Sequence, residues 1–129
     1  MTRRITELIE QLGVYLEYTD ALPPQRLGAY LDDERRILIR RGLTTPLEQE
    51  TLHHEYAHAW HRDRSSHPAI EWRAWRFAAQ LIVDPLAYAA VERVSTSSLY
   101  IAQELGTTVK IIESYRLALV RGELYAEAA

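Results

Sequence analysis

An α+β fold is expected from three features of the 129-residue sequence. Strand-like apolar runs are confined to the first 44 residues, and helical periodicity fills the chain after Thr45. The first helix of that second part carries His54-Glu55-Tyr-Ala-His58, an H-E-x-x-H run. The architecture this predicts is a small N-terminal antiparallel or mixed sheet, then two packed helices, then a helical C-terminal region. A chain this long buries one core but not two, so a single domain over 1–129 is expected. Its parts are 1–44 (helix plus small sheet), 45–83 (the two motif helices) and 84–129 (the helical remainder).

Each element has its own signal. Ile5, Leu8, Ile9 and Leu12 recur at helical spacing and Gly13 stops them, giving a helix over 5–12. Residues 14–18 (Val-Tyr-Leu-Glu-Tyr) read as a strand, and 20–25, with Pro23-Pro24, as a loop. Strand-like runs at 27–31 and 36–40 flank the acidic turn Asp32-Asp33-Glu34 and suggest a hairpin. Thr45 as N-cap, Pro46 at the first helical position and Glu48 three residues after the cap form a capping box, opening a helix to about Asp63. After the polar loop 62–66, Pro68 opens an unusually apolar helix over 68–83, with only Arg73, Arg76 and Gln80 as its polar strip. Asp84-Pro85 starts the C-terminal helices, expected at 85–93, 96–105 and 108–121 with Gly106 and Gly122 as stops; the tail 123–129 is expected to fray.

Composition removes several classes of function. Apolar residues at 47% and charged residues at 26% are ordinary for a globular protein. A net charge of −3 supplies no global basic field for nucleic acid or anionic lipid. With no cysteine, disulfides and thiolate sites are impossible, so any metal must be held by His, Asp or Glu. No run reaches membrane-spanning length and the N-terminus lacks the apolar stretch of a secretion signal, so a cytoplasmic protein with no membrane partner is expected.

The H-E-x-x-H run carries the chemistry. Side chains four apart share a helix face, so His54 and His58 can grip one ion. Glu55 lies about 100° round the same helix, near enough to address a water on that ion without ligating it. Two imidazoles, an open position and a carboxylate base suit a zinc hydrolase. On the helical wheel Leu52, Tyr56 and Ala59 share one face, while His54, Glu55, His58 and His61 share the opposite one, a set more natural to a cleft than to an open surface.

A third ligand is needed. The histidine that one related pattern places six positions after the second is replaced by Arg64. His61 follows one turn after His58, but three ligands on consecutive turns of a straight helix converge poorly on a small ion. His67 in the loop is a fallback. Glu71 lies in the apolar side of the next helix, flanked by Ala74, Trp75, Ala78 and Ile82, where an isolated carboxylate costs several kcal/mol without a partner. A metal ion is one such partner, and a salt bridge to Arg73 or Arg76 is the other.

The run Leu52-His-His54-Glu55-Tyr-Ala-His58-Ala, followed by Glu71-Trp-Arg-Ala74-Trp-Arg-Phe77-Ala78-Ala79-Gln-Leu81-Ile82, resembles the ImmA/IrrE family of metallopeptidases. The resemblance extends over roughly residues 5–120, and the compact C-terminal region is similar to that of small members borne by phages or mobile elements. It implies a zincin-like fold, zinc held by His54, His58 and Glu71, and Glu55 as catalytic base. It also implies regulated proteolysis, with a helix-turn-helix repressor as the protein substrate.

In that mechanism Glu55 moves the proton from water to the leaving amine, and a further donor stabilises the oxyanion; His61, His67, Tyr30 and Tyr88 are candidates. A sheet edge, either 27–31 or 36–40, would hold substrate as an added strand. Two other functions compete. Residues 101–115, with Gly106 between two helical runs, have the spacing of a DNA-binding helix-turn-helix presenting Thr107, Thr108 and Lys110. Against it, Lys110, Arg116 and Arg121 are matched by Glu104, Glu113 and Glu123. The other rival is a non-proteolytic antirepressor that binds its partner without cutting it.

Overall fold

The computed structural model describes residues 2–124. Helix α1 (Thr2–Gln11) leads into strand β1 (Tyr15–Thr19), and β2 (Gly28–Leu31) and β3 (Arg36–Arg40) form the hairpin. Helices α2 (Thr45–His61) and α3 (Pro68–Ile82) follow, and then α4 (Pro85–Glu92), α5 (Ser98–Leu105) and α6 (Val109–Arg121). The fold is α+β, and the order of elements is the expected one. Of the tail expected to fray, 125–129 lie outside the described residues.

The three-stranded sheet is mixed, in the order β1-β3-β2. β1 runs parallel to β3, with Tyr15 opposite Arg36, while β2 and β3 are antiparallel, with Gly28 opposite Ile39. The 36–40 strand is therefore central and not an edge; of the two runs expected to offer an edge, 27–31 (β2) does so. Burial explains the choice: Ile37 and Ile39 are fully buried, as a middle strand requires. Arg40 closes the 20–25 loop beneath it by donating to the carbonyls of Leu22, Pro23 and Arg26.

Two apolar clusters form the interior. Ile5, Ile9, Val14, Ile37, Ile39, Leu52, Tyr56 and Ala59 join α1 and the sheet to α2. Ala78, Ala79, Val83, Tyr88, Ile101, Ile111, Ile112 and Tyr115 join α3 to the C-terminal helices. The α2–α3 packing lies between the clusters, and the residues of interest sit there.

Helix α1 begins at Thr2 rather than Ile5, α5 at Ser98 rather than Thr96, and α2 ends at His61 rather than Asp63; the start of α2 departs in its cap. Thr44, not Thr45, is the N-cap of α2, and its side chain makes no cap bond. The proposed capping box is absent, since Leu47 stands three residues after Thr44; Glu48 accepts from the Tyr18 hydroxyl at 2.8 Å, tying the helix to β1. In the C-terminal region Asp84 caps α4 and Gly106 and Gly122 end their helices in left-handed conformations, as expected, while Ser97 and Thr108, expected inside helices, are the N-caps of α5 and α6. Among the described residues no helix is long and apolar enough to cross a membrane.

Candidate metal centre

Residues 51–59 of α2 are buried on every side of the helix. Its apolar face meets the sheet and α1. Its opposite face, with His54, Glu55 and His58, floors a cleft of about 740 Å³. One wall is β2 with the turn after it (Tyr30, Leu31, Asp32, Asp33, Glu34), and the other is the loop Asp63, Arg64, Ser65 and Ser66. Gly28 sets the closeness of strand and helix. A Cβ there would stand 2.7 Å from Thr51 Cγ2 and 3.2 Å from Glu55 Cγ, so only glycine lets β2 approach the base-bearing turn this closely.

Glu71, from the first turn of α3, enters the cleft from the other helix. One carboxylate oxygen lies 3.1 Å from His54 Nε2 and the other 3.0 Å from His58 Nε2, and the two imidazole nitrogens are 3.2 Å apart. Ligand atoms of a tetrahedral zinc, at about 2.0–2.1 Å from it, stand about 3.3 Å from one another. Two imidazole nitrogens 3.2 Å apart, with one oxygen of the same carboxylate turned to each, thus lie close to the separations a small cation imposes. His54, His58 and Glu71 form a group able to hold a metal ion. The carboxylate of Glu71 faces the two imidazoles, while Arg73, one arginine offered as its alternative partner, pairs with Asp63, and Arg76, the other, donates to the carbonyl of Glu123.

The electrostatics agree with such a group. Burial, reinforced by the neighbouring His58, pushes the His54 imidazole down to about 3, so it stays neutral and keeps a lone pair. Burial likewise pushes the Glu55 carboxyl up to about 7, against the opposing pull of His58 and Arg26. The His54 ring packs on Trp75 with centroids 4.1 Å apart, and Lys110 Nζ sits 4.7 Å above that indole. His54 Nδ1 is buried without a hydrogen-bond partner.

The remaining candidates are placed elsewhere. His61 turns its Nδ1 to the carbonyl of Ala57 and packs edge-on against Phe77, away from the cleft. A helical wheel gives the direction of a Cβ but not the rotamer beyond it. His67 caps α3 by accepting from the Ala69 N–H. Tyr88 lies in the C-terminal core, donating to Glu92 and accepting from Arg116. Tyr30 does line the cleft, with its hydroxyl held between Asp32 and Arg35. Two of the helix-turn-helix candidates have partners within the fold: Thr108 donates to Glu50 on α2, and Lys110, though exposed, lies over Trp75.

Sequence reasoning missed Asp63, which faces His58 Nδ1 at 2.9 Å. It also missed Asp32, which binds Arg62 and Arg64 and so clips the far loop to the β2–β3 turn. The hydrogen bond from Tyr30 and then that from Arg62 hold the Asp32 carboxyl below its ordinary range.

An H-E-x-x-H helix crossed by a glutamate-bearing helix beside a small mixed sheet defines a zincin-like, metallopeptidase-type protein. The chain belongs to the peptidase M78 family of IrrE N-terminal-like domains, whose model matches residues 9–117. In fold it is similar to a Mycobacterium tuberculosis transcriptional regulator, with a TM-score of 0.52 and 16% identity over 90% of this chain. The chain spans 44% of that protein's length, and at this identity the likeness is one of fold. No curated protein matches the chain.

Proposed function

We propose that this protein is a zinc-dependent endopeptidase, with His54, His58 and Glu71 as metal ligands and Glu55 as the catalytic base. The convergence of one ligand atom each from His54, His58 and Glu71 within 4.8 Å of one another carries the reading. Zinc is favoured because a donor set of two imidazoles and a carboxylate, without thiolates, matches hydrolytic zinc sites. Zinc so held supplies an acidified water and polarises the scissile carbonyl.

The chain's own groups do the rest. Glu55 makes no side-chain hydrogen bond among the described residues and lines the cleft. Its raised pKa places it between carboxylate and acid near neutrality, which suits a group that takes the water's proton and passes it to the leaving nitrogen. The edge strand receives the substrate backbone. Arg40 N–H bonds the Leu27 carbonyl, so alternation along β2 leaves the N–H and C=O groups of Gly28 and Tyr30 pointing away from β3. An extended peptide pairing with those groups lies along the cleft wall opposite Asp63–Ser66. Tyr30 is the oxyanion candidate that lies in the cleft. The substrate we favour is a helix-turn-helix repressor, which rests on membership of the family.

The test is incubation with a repressor encoded beside the gene, comparing wild type with Glu55→Gln. Glutamine cannot accept the proton, and losing a general base costs about 10²–10⁴ in rate. Fragments from wild type, and none from Glu55→Gln at equal zinc content and equal binding, are expected. Cleavage by the glutamine variant at the wild-type rate refutes the mechanism. Binding by both without fragments from either means that the protein acts by sequestration.

A further inference from the structure

We infer that Asp63 is a positioning residue of the metal centre: it fixes the tautomer of His58 and, through Arg73, locks the two ligand-bearing helices together. The inference rests on the reading that His54, His58 and Glu71 bind zinc. It assigns a role to a residue outside the H-E-x-x-H motif.

The local backbone brings Asp63 into place. Arg62 closes α2 in a left-handed conformation, φ 56° and ψ 46°. The chain thereby doubles back, and Asp63 N–H donates to the carbonyl of His58 at 2.9 Å. The carboxylate then lies beside the same residue's ring, with Oδ2 2.9 Å from Nδ1. A carboxylate only accepts, so Nδ1 carries a proton when this bond is made, and Nε2 is the nitrogen left to give its lone pair to a metal ion bound between it and Glu71. Nε2 is the atom that faces Glu71 and His54.

The second half of the role is mechanical. Asp63 Oδ1 accepts from Arg73 Nη2, and Arg73 is two residues beyond Glu71 on α3. The Asp63 side chain is only 6% exposed, so water does not compete for either bond. One carboxylate therefore ties a ligand of α2 to the helix that carries the third ligand. His54 has no such anchor, since its Nδ1 is unpartnered and its ring is held by Trp75. Partners of this kind orient a ligand and raise its basicity, and their loss lowers metal affinity by about 10–100-fold.

The experiment has two readouts on the full chain. Zinc affinity is measured by competition with a chromophoric chelator, and the His58 tautomer by ¹H–¹⁵N correlation in zinc-free protein. Wild type should show His58 protonated on Nδ1. Asp63→Ala should bind zinc about 10–100-fold more weakly and move the proton to Nε2. Asp63→Asn, which keeps an acceptor oxygen and nearly the same shape, should recover part of the affinity and serves if the alanine variant does not fold. Asp63→Ala with wild-type zinc affinity and an unchanged tautomer overturns the inference. So does a wild-type His58 with no proton on Nδ1, a result that stands even if the protein binds no zinc. Absence of zinc binding by wild type with Nδ1 protonated instead refutes the metal reading and the affinity half of this inference.

Discussion

Gly28→Ala should couple a stability loss to a catalytic loss through a single added methyl group. The new Cβ would lie 2.7 Å from Thr51 Cγ2 and 3.2 Å from both Glu55 Cγ and Ile39 Cδ1. The nearest contact is about 1 Å inside normal carbon–carbon separation, and overpacking of this kind costs about 1–3 kcal/mol. The lower chain entropy of alanine returns about 0.5–1 kcal/mol, so a net loss of about 1–2 kcal/mol is expected. To relieve the contact, β2 and α2 must part by a fraction of an ångström beside Glu55. A misplacement of about 1 Å at a reacting group can cost about 10² in rate. Urea unfolding gives the first number and cleavage of the protein substrate the second, with zinc content checked in parallel. Thr51→Ser deletes the clashing Cγ2 while keeping the hydroxyl that donates to the Leu47 carbonyl. In the Gly28→Ala background it should therefore restore stability, showing a coupling of about 1 kcal/mol. Wild-type stability and rate in Gly28→Ala, or no coupling to Thr51, would refute the claim that strand–helix closeness places the base.

Chelation should lower the melting temperature: a ligand at about 1,000 times its Kd contributes about 4 kcal/mol, or roughly 15 °C for a chain of this size. Superimposable melts with and without chelator would mean that no ion binds the native state preferentially. Acid should destabilise the zinc-free protein through His53, whose imidazole burial pushes down to about 4 from an ordinary 6.5. The folded pKa is the lower one, so this stability is present above about pH 6.5 and lost as pH falls towards 4. The lost amount is on the order of 2–3 kcal/mol at pH 4.5. His53→Leu should flatten that part of the urea-stability profile between pH 7 and 4.5, and an unchanged slope would contradict the buried neutral imidazole.

Much of this was legible in the sequence where the signal is local. Spacing of four put His54 and His58 on one face, and a carboxylate on the apolar side of 68–83 marked Glu71 as needing a partner. Proline and glycine placed most helix ends within two residues. What was not legible depends on distant or conformational facts. No pattern in 14–18 says that β1 pairs in parallel with the 36–40 strand, which made a presumed edge the centre of the sheet. Asp63 is five residues from His58, out of reach on a regular helix, and returns only because Arg62, a residue type with no preference for φ above zero, turns the chain. His61 has the correct wheel angle, but its rotamer takes it to Phe77. Thr45 is not the cap because it is already the first helical residue, and Glu48 instead bonds Tyr18 on a strand thirty residues earlier.

The zinc content of the purified protein and of its single variants tests the central claim most directly. Elemental analysis of wild type, prepared without chelator, should give about one zinc per chain, as three protein ligands and a water require. His58→Ala and Glu71→Ala should each retain almost none, while Glu55→Gln should keep the wild-type amount. Full zinc in Glu71→Ala would contradict the account, because the carboxylate that bridges His54 and His58 would then not be a ligand.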